Sequence, residues 1–134
     1  MAPEVLEFGC VINCTSEVPF SSLLPETTAR FQIDVMDLGD ASEQEIMLDA
    51  FPDVCRFIHE NLNSKVLVHC AEGKQRSCMV VAAYLIYTGI VHTVKDAKRI
   101  IQDHHPIAFD HGTLYHFSQA LGQWESICAP IKMK

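Results

Sequence analysis

The chain has 134 residues, 49% hydrophobic and 20% charged, with six Gly and six Pro. That is enough for one compact domain with its own core, expected over residues 1–134, and it excludes a collagen-like, linker-like or disordered chain. Ten Lys and Arg against 17 Asp and Glu give a formal charge of −7. An acidic body of this kind argues against a general nucleic-acid or membrane-surface binder, because both need a basic face. Any anion it recognises must be held by a local positive site.

The longest apolar stretch, Cys78 to Tyr87, is shorter than the roughly 18–20 residues a membrane span needs. The opening Met1-Ala2-Pro3-Glu4 carries no positive segment followed by an apolar one, so no secretory signal is expected. Cysteines stand at 10, 14, 55, 70, 78 and 128, with no Cys-x-x-Cys pair and several inside apolar runs. That pattern predicts reduced thiols in a cytoplasmic or nuclear setting rather than a disulfide scaffold.

In chain order, strand and helix signals alternate, which favours an α/β fold with a largely parallel sheet. Residues Gly9 to Cys14 read as a short buried strand ending in a turn-prone stretch from Asn13 to Glu17. Phe31, Ile33 and Val35 alternate with Gln32, Asp34 and Met36, the period of a strand, which stops at the loop Asp37-Leu38-Gly39-Asp40. Ser42 with Glu45 reads as a capping box opening a helix through Ala50, and Pro52 is expected to break or restart it before Asp53 to Leu62. Lys65 to His69 is the clearest strand, a β-branched run expected to be buried on both faces. Cys78 to Ile86 predicts a helix in the middle of the domain, stopped by Gly89. Thr93 and Asp96 cap another helix through about Asp103. Asp110 is placed to cap the last, which carries Leu114, Phe117, Leu121, Trp124 and Cys128.

Between the clearest strand and the central helix lie His69-Cys70-Ala71-Glu72-Gly73-Lys74-Gln75-Arg76-Ser77. A strand here delivers a cysteine into a tight loop that winds into a helix N-terminus. Such a loop turns successive backbone N–H groups inward, and the helix adds the positive end of its dipole. Gly73 permits the backbone reversal, and Arg76 offers a planar fork suited to two phosphate oxygens. A thiol in so positive a setting tends to ionise near neutral pH. A thiolate beneath a bound tetrahedral anion is a nucleophile for phosphoryl transfer. The plainer alternative is a buried strand-end thiol beside a solvated arginine.

His69-Cys70-x5-Arg76-Ser77 resembles the signature of the cysteine-based protein tyrosine phosphatases, and its flanks resemble the small, atypical dual-specificity branch. Val66 to Cys70, Ala83 to Ile86, Val11-Ile12-Asn13 and Phe57-Ile58 are similar to that branch. The resemblance implies a single domain with a central, mostly parallel sheet of about four strands flanked by helices. It also implies that the chain begins after the family's amino-terminal strand or hairpin. The expected chemistry is a two-step hydrolysis through a phosphocysteine, free of metal and cofactor. Its expected substrate is a phosphorylated protein bearing phosphotyrosine or phosphoserine/phosphothreonine.

On this reading Cys70 is the nucleophile, and phosphate is cradled by Ala71, Glu72, Gly73, Lys74, Gln75 and Arg76. The leaving oxygen needs a proton donor from a loop at the carboxyl end of a neighbouring strand. Asp37 follows such a strand and matches the family's acid, with Asp40 in the same loop as runner-up. Ser77 is expected to hydrogen-bond the sulfur as it leaves in the second step, and otherwise to satisfy an orphan helix amide. His69 is expected to support the loop from behind.

The chain departs from the family in having Gln75 just before Arg76 where Ser is usual. Lys74 adds a second cation, offset by Glu72, and motivates an alternative reading as an inositol-phosphate or phosphoinositide phosphatase. A catalytically silent phosphate-binding module is the alternative from outside the enzymes, and a matched acid and nucleophile count against it. Rhodanese-like sulfur transfer would leave Ser77 and Asp37 unexplained. His104, His105, His111 and His116 crowd the C-terminal third, but no spacing sets three ligands on one face, so no metal centre is expected. Oligomeric state stays open.

Overall fold

The computed structural model describes residues 9–16, 19–35, 41–70, 75–104 and 113–132. The strands are β1 (Cys10–Asn13), β2 (Ala29–Gln32) and β3 (Val66–His69), and the helices α1 (Ala41–Glu60), α2 (Gln75–Thr88), α3 (Val94–His104) and α4 (Thr113–Lys132). The sheet order is β2-β1-β3, and both pairings are parallel. The α/β architecture therefore stands, with three strands among the described residues where about four were expected.

β1 is central. The chain leaves it for β2 on one side, then crosses through α1 to β3 on the other. The order thus reverses at β1, and in open α/β sheets the crevice beyond the carboxyl ends at such a point is where ligands bind. All of Cys10 to Asn13 is buried. A Cβ on Gly9 would lie 2.8 Å from Ser64 Cβ, so only glycine lets β1 enter this close to the start of β3.

Several expectations need correcting. β3 is half-buried at all four positions rather than covered on both faces. Its position at the end of the three-strand order leaves one long side without a described neighbour. The second strand pairs only to Gln32. Beyond it the buried–exposed alternation persists through Ile33 and Val35, but the Val35 amide donates to the Ile33 carbonyl at 2.9 Å and the chain bends off the ladder. Finally, Pro52 does not interrupt α1, which runs unbroken with Pro52 inside it. Pro52 faces solvent while Phe51, Val54, Cys55 and Ile58 bury the other face. The carbonyl deprived of its partner can thus be hydrated, and the buried face holds the helix together. Ser42 is already inside the first turn, because α1 begins at Ala41.

Other boundaries agree with the sequence. α2 ends at Thr88, and Gly89 follows with φ of 83°, the left-handed conformation that glycine adopts without strain. Thr93 caps α3, its hydroxyl accepting the Asp96 amide at 3.1 Å. Asp110 lies outside the described residues, but Leu121, Trp124 and Cys128 of α4 are buried as expected. Trp124 packs against Phe51, ring centroids 5.6 Å apart, and donates its indole N–H to the Ala83 carbonyl of α2 at 3.0 Å. Trp124 thereby ties the middle of α2 to α4 across the core.

No described helix is long and apolar enough to cross a membrane. All six cysteines are free thiols, five of them buried.

Candidate active site

Cys70 is the first residue after β3, at the carboxyl edge of the sheet, and is half-buried. Five residues later α2 opens with Gln75, Arg76 and Ser77. The sulfur of Cys70 and the hydroxyl of Ser77 lie 3.4 Å apart, hydrogen-bonding distance for sulfur. The thiol donates when protonated, and the hydroxyl donates when the sulfur is a thiolate.

Arg76 is 3% exposed, and Nη1 of its guanidinium donates to the Val35 carbonyl at 2.9 Å. A cation is seldom buried this deeply without partners. Here it is fixed in the first turn of α2, where the helix dipole adds further positive potential. Val35 also accepts the Ser16 amide at 3.2 Å. The segment that follows β2 is thus tied both to the turn after β1 and to the arginine.

His69, the last residue of β3, has its pKa held below the usual histidine value by burial, against a smaller raising effect from the Cys70 backbone. It is half-buried. Cys14 lies near enough to feel the charges of Cys70, Cys78 and Arg76. Burial pushes its thiol well up, the two neighbouring thiols push the same way, and Arg76 opposes them.

Cys70 and Ser77 are therefore brought together at the sheet edge, with buried Arg76 next to Ser77 in the first turn of α2. Asp37, Asp40, Ala71, Glu72, Gly73 and Lys74 lie outside the described residues. Val35, two positions before Asp37, is the described residue that brings that strand end to the arginine.

A family model, "Dual specificity phosphatase, catalytic domain", matches residues 2–126. The chain belongs to the dual-specificity phosphatase catalytic-domain family. Dual specificity protein phosphatase Mpk3 of Drosophila melanogaster is 33% identical over 118 residues, covering 87% of this chain but 27% of Mpk3. The chain thus spans well under half of that relative. Human DUSP28 has the same fold, with a TM-score of 0.75 at 18% identity, over 92% of this chain and 78% of its own. The Yvh1 phosphatase domain from Chaetomium thermophilum aligns with a TM-score of 0.72 at 23% identity, over 92% and 81%.

In this dual-specificity phosphatase domain, a groove of about 480 Å³ runs beside β3 towards Ser77. Leu67, Val68, Val81, Leu85 and Ile101 line it. Its apolar walls distinguish it from the polar edge where the Cys70 sulfur meets the Ser77 hydroxyl. The sequence places Asn13 at the end of a buried strand and Thr15 in a turn-prone stretch without assigning either to the site, yet both side chains are fully buried and bonded to each other at the same edge. The usable signal was position: Asn-x-Thr follows a buried strand at the end where α/β sheets place their ligands.

Proposed function

We propose that this domain hydrolyses phosphate monoesters on proteins, phosphotyrosine and phosphoserine/phosphothreonine alike, through a phosphocysteine on Cys70. The observation that carries the reading is the meeting of the Cys70 sulfur with the Ser77 hydroxyl at 3.4 Å beside a buried Arg76. An anion-binding module has no use for a sulfur with a hydroxyl set to receive its charge.

In the first step the Cys70 thiolate attacks phosphorus. The S–P bond forms as the bond to the ester oxygen breaks, and Arg76 with the loop amides neutralises the transferring phosphoryl oxygens. Asp37 gives its proton to the departing oxygen, and Asp40 is the runner-up for this role. In the second step the Asp37 carboxylate takes a proton from water as the water attacks phosphorus. The S–P bond breaks, inorganic phosphate leaves, and the Ser77 hydroxyl donates to the returning thiolate. Six free thiols, five of them buried, support a reducing compartment such as the cytoplasm or nucleus.

The test is turnover of an aryl phosphate, phosphopeptides and inositol phosphates by wild type, Cys70→Ser and Asp37→Ala. Cys70→Ser should abolish turnover on every substrate. Asp37→Ala should slow phosphoserine peptides by about 10²-fold or more, and aryl phosphates with good leaving groups far less. Wild-type protein that leaves both aryl phosphate and phosphopeptides intact under reducing conditions would overturn the reading. Preference for inositol phosphates would replace the protein substrate.

A further inference from the structure

The deepest polar side chains near the site belong to neither the nucleophile nor the phosphate grip. Asn13 and Thr15 are both 0% exposed. Asn13 Oδ1 accepts the Thr15 amide at 3.1 Å and the Thr15 hydroxyl at 2.9 Å. A buried amide and hydroxyl are costly to desolvate, and an apolar turn would fill the same volume more cheaply. What this pair secures is the course of the chain over residues 13–16 as it leaves β1.

That short turn touches both arms of the site. In register, Asn13 stands between Gln32 on β2 and His69 on β3. On the nucleophile side, the Cys14 amide donates to the His69 carbonyl at 2.8 Å, one residue before Cys70. On the other side, the Asn13 carbonyl accepts the Ile33 amide at 2.8 Å, and the Thr15 carbonyl accepts Gln32 Nε2 at 3.0 Å. The Ser16 amide reaches the Val35 carbonyl at 3.2 Å, the same oxygen that receives Arg76 at 2.9 Å. Each of the four residues is bonded to the strand that ends in Cys70 or to the one that leads to Asp37 and Asp40.

We propose that Asn13 and Thr15 are positioning residues: their buried pair holds the 13–16 turn as a strut setting the Asp37 strand end relative to Cys70 and Arg76. The role rests on the phosphatase reading above. Neither residue touches substrate. Each acts by keeping the proton donor within reach of the leaving oxygen, where a shift of about 1 Å can cost on the order of 10²-fold in rate.

The experiment compares kcat on an aryl phosphate with a good leaving group and on a phosphoserine peptide, using the full chain. Variants are Thr15→Val, which keeps shape and removes the hydroxyl, Thr15→Ser, which restores it, and Gln32→Met, which cuts one tie from an exposed side chain. Asp37→Ala serves as reference. A purely structural role would lower the active fraction and depress both rates by one factor. The strut instead predicts that Thr15→Val lowers the peptide-to-aryl rate ratio by about tenfold. Thr15→Ser should return the ratio to near wild type, and Gln32→Met should lower it less, with inhibition by inorganic phosphate unchanged in all three. An unchanged ratio in Thr15→Val overturns the proposal, and should that variant not fold, an unchanged ratio in Gln32→Met does so. Because Asp37 and Asp40 both follow Val35, a reduced ratio supports the strut even if Asp37→Ala leaves it unaltered. That last result would move the acid and not the strut.

Discussion

Arg76 and Val35 are 41 positions apart in sequence, yet Nη1 of the one meets the carbonyl oxygen of the other at 2.9 Å inside the domain. The residue that grips phosphate in the proposed reaction is thereby fastened to the backbone that leads into the proposed acid. The same oxygen holds the Ser16 amide, so three segments remote in sequence are tied at one carbonyl.

Replacing Arg76 by Lys keeps the charge and loses the planar fork, and with it the reach to Val35. We expect kcat/KM on an aryl phosphate to fall by about 10²-fold or more. Urea denaturation should show a loss of about 1–3 kcal/mol, because a buried, bonded cation is replaced by one that cannot make the same contacts. Retention of wild-type kcat/KM would count against the phosphate-gripping role.

His69 carries a pH dependence whose sign follows from its depressed pKa. Above the ordinary value of 6.5 it is neutral in both folded and unfolded chains and contributes no slope. As pH drops below 6.5 the unfolded chain takes up a proton first, so stability declines until the folded-state pKa is reached. Denaturation midpoints measured from pH 7.5 to 5 should fall for wild type and fall less for His69→Gln. Parallel profiles for the two proteins would contradict the assignment.

Thiol reactivity should separate sharply. Burial pushes Cys55 up to about 12, with Cys128 adding to the effect, and Cys14 is also raised. Brief iodoacetamide treatment near pH 7.5 should therefore label half-buried Cys70 first, and peptide mass spectrometry should find Cys14 and Cys55 unmodified in the folded protein. Loss of activity should track the labelling of Cys70 alone.

Pro52 offers a stabilising change. Its ring withholds one amide from α1 at an exposed position, so Pro52→Ala should restore a backbone hydrogen bond and raise stability by about 1–3 kcal/mol in urea denaturation. Activity should not change, since Phe51 and the rest of the buried face stay as they are.

Much of this was readable in the residues themselves. A β-branched run from Lys65, the cysteine that ends it and the apolar helix after it form a local pattern, spanning about twenty consecutive positions. The helix stop at Gly89 and the cap at Thr93 are likewise matters of local conformation. The unbroken α1 was not readable, because proline's local cost is outweighed by side chains buried against other elements. The half-exposure of β3 was equally hidden: a strand's own pattern does not say which of its edges finds a neighbour.

Sequence alone determined which groups are chemically able to act: a thiol, a guanidinium and a hydroxyl at fixed offsets along a strand–loop–helix. Tertiary structure decided what holds them in relation to the second strand. The Val35 carbonyl and the Asn13–Thr15 pair join segments far apart in the chain, and a hydrogen bond between remote residues exists only once the sheet has closed. Periodicity reports which side of an element is buried, whereas partners across the fold depend on register, and register is settled by packing.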